Sequence, residues 1–244
     1  MLYNDELYAI NIDTAGIKQG EECFDVFIKE DNENVKIHIW DYNKLYKYPY
    51  LFEVIYQKIL KSNSIYFVWD NFLKYKDIRD DELRILDVAA GSGLAGEYMR
   101  RISNPKSIHG LDILESARTA CMRDYQKIYD DYYVLNLRSI KCSEKTLLKD
   151  KNFNCISIIS ASGGSDDDFD YHDVELQEYE TILELISRSG YIILNVRERE
   201  LKGQTEIKKL LGKHCYLINE AAYTHRQLLN GSAIAHKALV YKML

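Results

Sequence analysis

The stretch Leu86-Asp87-Val88-Ala89-Ala90-Gly91-Ser92-Gly93-Leu94-Ala95-Gly96 constrains this chain more than any other. An apolar run over Arg84–Val88 stops at glycines, and an amphipathic run over Leu94–Ser103 follows. A strand that turns through glycines into a helix sets bare backbone at a helix N-terminus, where a ligand can lie against it. The same beat then repeats. Ser107–Leu111 reads as a strand, Glu115–Tyr125 as a helix, Asp131–Leu135 and Cys155–Ser160 as strands, Val174–Ser187 as a helix and Tyr191–Val196 as a strand. Strand and helix in alternation predict a parallel sheet. The tail departs from the beat: Cys215–Glu220 and Ala235–Leu244 flank Asn230-Gly231 with no long helix between them, which predicts a closing antiparallel pair.

Upstream, Phe24, Val26 and Ile28, then Val35, Ile37 and Ile39, alternate around Glu30–Asn34 and predict a β-hairpin over Cys23–Trp40. Asn43–Leu60 has its apolar residues at helical spacing, with Pro49 expected in the first turn of the main helix. A further helix is predicted over Ser64–Tyr75. The expected division is a hairpin and helical cap over 1–80 and a ligand-binding domain over 81–244.

Composition excludes several classes of function. The chain has 244 residues and a net charge of -6, which repels a phosphate backbone, so a nucleic-acid partner is not expected. No apolar run approaches the ~20 residues of a membrane helix, and the acidic start is unlike a signal peptide, so a cytoplasmic protein without membrane attachment is expected. The five cysteines are scattered and form no CxxC pair, which predicts buried thiols and no zinc site. Asp166-Asp167-Asp168 has the chemistry for Mg2+ but reads as a solvated acidic loop, since three consecutive side chains cannot converge on a regular element, and no metal is expected. The 20 tyrosines are unusual, and most are read as core or surface residues.

Asp112 gives the glycine turn its meaning. It ends the second strand 19 residues after Gly93, close to the ~20 expected of a carboxylate that grips ribose hydroxyls, so an adenosine-type cofactor is predicted. Asp87 inside the motif would repel a pyrophosphate and suits an ammonium group. S-adenosylmethionine combines adenosine, a ribose diol and an ammonium without phosphate. The segments ILDVAAGSGLAGEYM and IHGLDILESA resemble the first two motifs of the class I S-adenosylmethionine-dependent methyltransferases, and SGYIILNVRE with the closing pair resembles the rest of that fold, from Leu83 to Leu244. More narrowly, LDILESARTACMRDYQKIYDDYYVLNL and YTHRQLLNGSAIAHKALVYK resemble an uncharacterised bacterial branch of that superfamily. The resemblance implies a Rossmann-like α/β fold, a mostly parallel seven-stranded sheet with an antiparallel C-terminal pair. It also implies that Asp87, Gly91 and Gly93 frame the methionine moiety, Asp112 the ribose and Ile113 the adenine, with Asn136 facing the adenine edge. Ala89 stands where the family usually has its first glycine, and Asn154 where it often has an acid.

Methyl transfer is a direct displacement that needs alignment and exclusion of water more than a nucleophilic side chain. Ligands of an open parallel sheet gather beyond the carboxyl ends of its strands, here Ser160–Gly164 and Asn195–Glu198. Ser160 is therefore a cofactor-side candidate and Arg197 a candidate substrate clamp, equally readable as a structural ion pair with Glu198. His225 is a candidate general base and Arg226 a candidate clamp for an acceptor carboxylate. Tyr48, with Tyr46 and Tyr50, is a candidate lid residue that would face the sulfonium. The expected function is methyl transfer to a small-molecule acceptor, in a chain that could be a homodimer. Two rival readings are an intramolecular displacement that releases methylthioadenosine and a non-catalytic cofactor-binding protein.

Overall fold

The computed structural model describes residues 2–4, 7–13, 25–30, 33–159, 174–198, 202–227 and 233–244. The N-terminal part is an antiparallel sheet of β1 (Leu2–Asn4), β2 (Ala9–Asp13), β3 (Asp25–Glu30) and β4 (Glu33–His38), in that spatial order. Alternation puts Ile10, Ile12, Val26, Ile28 and Ile37 on one face, which Leu45 of α1 (Tyr42–Leu45), Leu51 of α2 (Leu51–Glu53) and, just after it, Val54 and Ile55 cover. Helix α2 runs on as a π-helical turn over Val54–Ile59. The expected hairpin is β3 and β4, to which the structure adds β1 and β2. Pro49, expected in the first turn of the helix, lies before it. Tyr50 takes a left-handed φ of 54°, which an L-residue helix cannot continue through, and the helix starts at Leu51.

Helix α3 (Ser64–Tyr75) has the bounds the sequence predicts, and it packs on the second sheet instead of the first. That sheet contains β5 (Arg84–Val88), β6 (Ser107–Asp112), β7 (Asp131–Val134), β8 (Phe153–Ile158), β9 (Ile186–Arg197), β10 (Cys215–Gln227) and β11 (Ala233–Met243). Its order is β10-β11-β9-β8-β5-β6-β7, with parallel pairing from β9 to β7 and antiparallel pairing of β11 with β9 and β10. Helices α4 (Leu94–Ser103), α5 (Glu115–Asp124), α6 (Cys142–Lys149), α7 (Leu176–Leu185) and α8 (Lys202–His214) flank it. Neither α6 nor α8 is among the predicted helices.

Both faces of the central strands are buried, and every residue of β8 is buried, which is why they read as mainly apolar runs. On one face Val68, Trp69 and Phe72 of α3 and Met99 of α4 pack on Ile85, Ile108, Cys155, Ile193 and Val240. On the other, Tyr179, Ile182 and Leu211 cover Leu86, Ile156, Ile192 and Leu239. The chain leaves β5 toward β6 and returns on the other side at β8, so a topological switch point lies at the carboxyl end of β5. Phe72 is fully buried and meets Tyr191 edge-on at 5.3 Å. Phe72→Ala is expected to lower stability by ~3–5 kcal/mol and Phe72→Leu by less, read from urea unfolding midpoints.

Candidate cofactor and acceptor site

The glycine loop between β5 and α4 is built from left-handed residues: Ala89, Gly91 and Gly93 have φ of 58°, 55° and 99°. Ala89 thus holds, with a Cβ, a conformation in which glycine is the unstrained residue. Two side chains and one backbone carbonyl pin the loop. Asp112, at the end of β6, accepts the Gly91 N–H at 2.9 Å through Oδ2 and the Leu114 N–H at 3.0 Å through Oδ1. Tyr132 donates its hydroxyl to the Gly91 carbonyl at 2.7 Å. The Ala90 N–H reaches the Leu111 carbonyl at 3.0 Å.

Asp87 is held differently. It is 2% exposed, its Oδ2 accepts the Tyr129 hydroxyl at 2.6 Å, and its Oδ1 accepts the Ser157 hydroxyl at 2.8 Å. Burial pushes its carboxyl up to about 6, the two hydroxyls pull it down, and the charge of Asp112 pushes it up. Both oxygens are engaged inside the protein, so the carboxyl supports the loop from below.

The cap closes over this loop from the other side. A Cβ on Gly91 would lie 2.8 Å from the Tyr46 hydroxyl oxygen. Burial raises the Tyr46 phenol well above its usual range, and the Asp112 charge adds to the shift. The cap is tied to α5: Arg123 donates to the Tyr46 and Lys47 carbonyls at 3.2 and 2.9 Å, Asp124 accepts the Tyr50 N–H at 3.0 Å, and Ser116 donates to Asn43 at 2.6 Å. The Tyr50 bond explains the left-handed residue that displaces the helix start beyond Pro49.

A second polar group lies along the carboxyl edge, where β9, β11 and β10 meet the start of α3. Asn195, Tyr223, His225, His236 and Ser64 are all less than one-tenth exposed. His225 falls at a bulge in β10, because Thr224 pairs with Ala235 and Arg226 with Ile234, leaving His225 without a register partner. His236 pairs with Tyr223 on one side and Arg197 on the other.

No family model and no curated protein sequence matches the chain. Solved structures do match in shape. The N-methyltransferase NodS of Bradyrhizobium japonicum WM9, in complex with S-adenosyl-l-homocysteine, is similar with a TM-score of 0.52 at 9% identity, over 73% of this chain and 85% of that one. A SAM-dependent methyltransferase of Methanosarcina mazei gives 0.51 at 13% identity, over 71% and 97%. One from Anabaena variabilis gives 0.52 at 12% identity, over 72% and 84%. The chain has the class I S-adenosylmethionine-dependent methyltransferase fold.

Within this methyltransferase fold the structure brings Ala89, Gly91, Gly93, Asp112 and Asp87 together at the switch point. Ile113 follows Asp112 with its side chain 45% exposed, presenting an apolar face to solvent. Asn136 lies beyond β7, exposed, and its side-chain oxygen accepts the Arg138 N–H at 2.9 Å. His225 is in the second polar group, and Arg197 ends β9 beside it, half-buried. Tyr48 is elsewhere: its hydroxyl donates to Glu30 at 2.7 Å, within the cap. Arg226 is described through its backbone alone. Ser160, the Gly163-Gly164 turn and Asp166–Asp168 lie outside the described residues. No described helix is long and apolar enough to cross a membrane, and no cluster of metal-ligating side chains occurs among the described residues.

Sequence reasoning passed over Tyr129 and Tyr132, which hold the loop and Asp87. The run YDDYYV beside a glycine-bearing strand carried a signal, because Tyr129 and Tyr132 both need the room that Gly110 leaves; a Cβ there would lie 2.8 Å from the Tyr132 ring and 3.1 Å from the Tyr129 ring.

Asp87 yields a pH prediction. Its folded value of about 6 stands above the ordinary 3.8, so the native state binds the proton more tightly than the unfolded chain does. Stability is therefore expected to fall as pH rises from about 4 to 6 and to stay lowered above that. Asp87→Asn removes the effect, so its stability relative to the wild type should improve by ~2–3 kcal/mol between pH 4 and 7.5 in paired urea titrations.

Proposed function

We propose that this chain is an S-adenosylmethionine-dependent methyltransferase that acts on a small-molecule acceptor by direct displacement. The observation that carries the reading is the Asp112 carboxylate at the switch point, where it accepts the N–H groups of Gly91 in the glycine loop and of Leu114 at the start of α5. A vicinal diol offers two donors to such a carboxylate. The glycine loop has no side chain at Gly91 to stand between backbone and ligand, and Ile113 offers the apolar surface an adenine ring needs. The residues present fit S-adenosylmethionine on this side. When bound, it supplies an electrophilic methyl group on a sulfonium.

The protein's own part is to hold, align and exclude water. Asp112 takes the ribose, Ile113 the base, and Asp87 keeps the loop in shape through Tyr129 and Ser157 rather than meeting an ammonium itself. Tyr46, pressed on Gly91 by the Arg123 and Asp124 ties, shields the loop from solvent. The acceptor enters along the carboxyl edge by β8 and β9, where His225 and Arg197 lie. A net charge of -6 supports a small acceptor over a nucleic acid.

Asp112→Ala is expected to weaken S-adenosylmethionine binding at least tenfold by calorimetry, about 1.4 kcal/mol, the scale of a lost hydrogen bond to a charged group. Asp112→Asn, which keeps one acceptor oxygen, should lose less. Unchanged affinity in both variants would remove the site assignment. The reaction itself is tested by incubating the protein with S-adenosylmethionine, with and without a small-molecule extract of the producing cells, and identifying the nucleoside product by mass spectrometry. S-adenosylhomocysteine formed only with extract is the expected result. Methylthioadenosine formed without extract would replace methyl transfer by intramolecular displacement.

A further inference from the structure

A cofactor that rests on the glycine loop needs the side of Gly91 that a side chain would fill. As the cap is placed, that side is taken: the Tyr46 hydroxyl oxygen stands 2.8 Å, and its ring carbon Cζ 3.7 Å, from where a Cβ would be. Non-bonded heavy atoms settle at about 3.5–4 Å, so an atom of the cofactor and the Tyr46 hydroxyl cannot share that space. Tyr46 is 7% exposed, and its hydroxyl bonds to no described residue, so no hydrogen bond of its own fixes it over the loop.

What holds Tyr46 there is the cap, and the cap is a separable body. The first sheet, α1 and α2 share a core of their own, whereas α3 belongs to the core of the second sheet. The seam falls between two consecutive residues: the Ser62 N–H goes to the Tyr56 carbonyl in the cap at 2.7 Å, and the Asn63 N–H goes to the His225 carbonyl in β10 at 2.8 Å. Lys61, just before the seam, takes a left-handed φ of 51°. An open depression of about 490 Å3 lies along it, lined from both sides by residues that include Gln57, Ser62, Asn63 and Thr224, and gives the two bodies room to change their angle. Tyr66 of α3 crosses the seam to Gln57 at 2.7 Å, close to the pivot.

Away from the seam, the cap meets α5 through a small apolar cluster around Tyr46, Ala117 and Ala120. The rest of this contact is polar: Arg123 to the Tyr46 and Lys47 carbonyls, Asp124 to the Tyr50 N–H, Tyr125 to Glu53 and Ser116 to Asn43. Arg123 and Asp124 also bond each other, at 2.6 and 2.8 Å, so one ion pair grips the cap backbone on both sides of Pro49. Bodies joined by a small and largely polar contact move relative to one another by default.

We propose that Tyr46 is a plug on the cofactor site: S-adenosylmethionine reaches Gly91 when the cap swings about residues 61–63 and withdraws the Tyr46 hydroxyl, and the Arg123–Asp124 pair is the latch that resists the swing. This deepens the methyltransferase reading and rests on its placement of the cofactor at the glycine loop. Apparent affinity is then lowered by the fraction of molecules whose cap is swung out, and loosening the latch raises that fraction.

The test is the rate at which S-adenosylhomocysteine associates with the full chain, followed by stopped-flow tryptophan fluorescence. Trp40 of the cap reports on it, being edge-on to Tyr42 at 6.4 Å, which stacks on Tyr46 at 6.0 Å. Tyr46→Ser removes the plug, Tyr46→Phe its tip alone, and Arg123→Ala the latch. Association is expected to be about three- to tenfold faster in Tyr46→Ser and in Arg123→Ala than in the wild type, with Tyr46→Phe between. A merely structural residue gives no such gain when it is removed. A rate no faster than wild type in Tyr46→Ser overturns the plug, and in Arg123→Ala it overturns the latch. Hydrogen exchange of the full chain without cofactor tests the swing itself. The Tyr50 N–H, bonded to Asp124, is expected to exchange faster by about tenfold or more in Arg123→Ala, while the α3 amides keep their wild-type rates. An unchanged Tyr50, or Tyr50 and α3 losing protection together, overturns the hinged cap. Failure of S-adenosylhomocysteine to bind the wild type and every variant removes the cofactor reading instead, and hydrogen exchange still decides the hinge.

Discussion

The carboxylate of Asp112 is the tie on which the site depends. It joins the end of β6, the left-handed glycine loop after β5, and the start of α5. A loop with Ala89, Gly91 and Gly93 all at positive φ is costly by itself and persists only where its surroundings over-determine it. Asp112 satisfies the N–H at the middle of that loop and Tyr132 the carbonyl of the same residue, so Gly91 is gripped at both ends of one peptide position. Since α5 also carries Ser116, Arg123 and Asp124, the helix that begins beside Asp112 is the helix that anchors the cap. The ribose carboxylate and the cover over it thus share one support.

Tyrosine is the means by which distant elements are held to this region. A phenol buries a broad apolar ring and still ends in a donor, so it can cross a core and close a hydrogen bond on the far side. Tyr129 reaches Asp87, Tyr132 reaches Gly91, Tyr191 reaches Asp77 and Tyr223 reaches Ser64. Each bond joins segments well separated along the chain. The price of so many buried phenols is that their hydroxyls must all find acceptors, and buried carboxylates such as Asp87 supply them. Burial keeps the proton of Asp87 to higher pH, and the Tyr129 hydroxyl works against that shift.

How much of this was legible depends on the range over which each feature is decided. The strands β3 and β4 fall inside the hairpin expected over Cys23–Trp40, and α3, β5 and α4, which follow from helical spacing or an apolar run bounded by turn residues, have the expected limits. Helix α2 was misplaced because a proline at first-turn spacing is a local signal, whereas Tyr50 is held left-handed by Asp124, 74 residues away. Helix α3 looked like part of the cap by its position in the chain, yet it packs on β9, β10 and β11 with Trp69 and Phe72 buried, which no local pattern reveals. In the site, Asp112 and the glycines were readable from spacing. The engagement of Asp87 by Tyr129 and Ser157, the removal of Tyr48 to Glu30, and the joining of His225 to His236 were not, because each depends on which strands become neighbours.

The sequence by itself determined the succession of the strands β5 to β11 with the helices α4, α5 and α7, the glycine turn and the carboxylate placed one strand later, since these are set by hydrophobic period, backbone freedom and spacing along the chain. Only the tertiary structure decided which polar side chains face one another. The sheet order places β9 beside β11 and β10, and a single bulge turns His225 toward Ser64 and onto the ring of His236. Such pairings rest on sheet register, where one added residue re-aims a side chain, and register is fixed by the packing of both sheet faces at once.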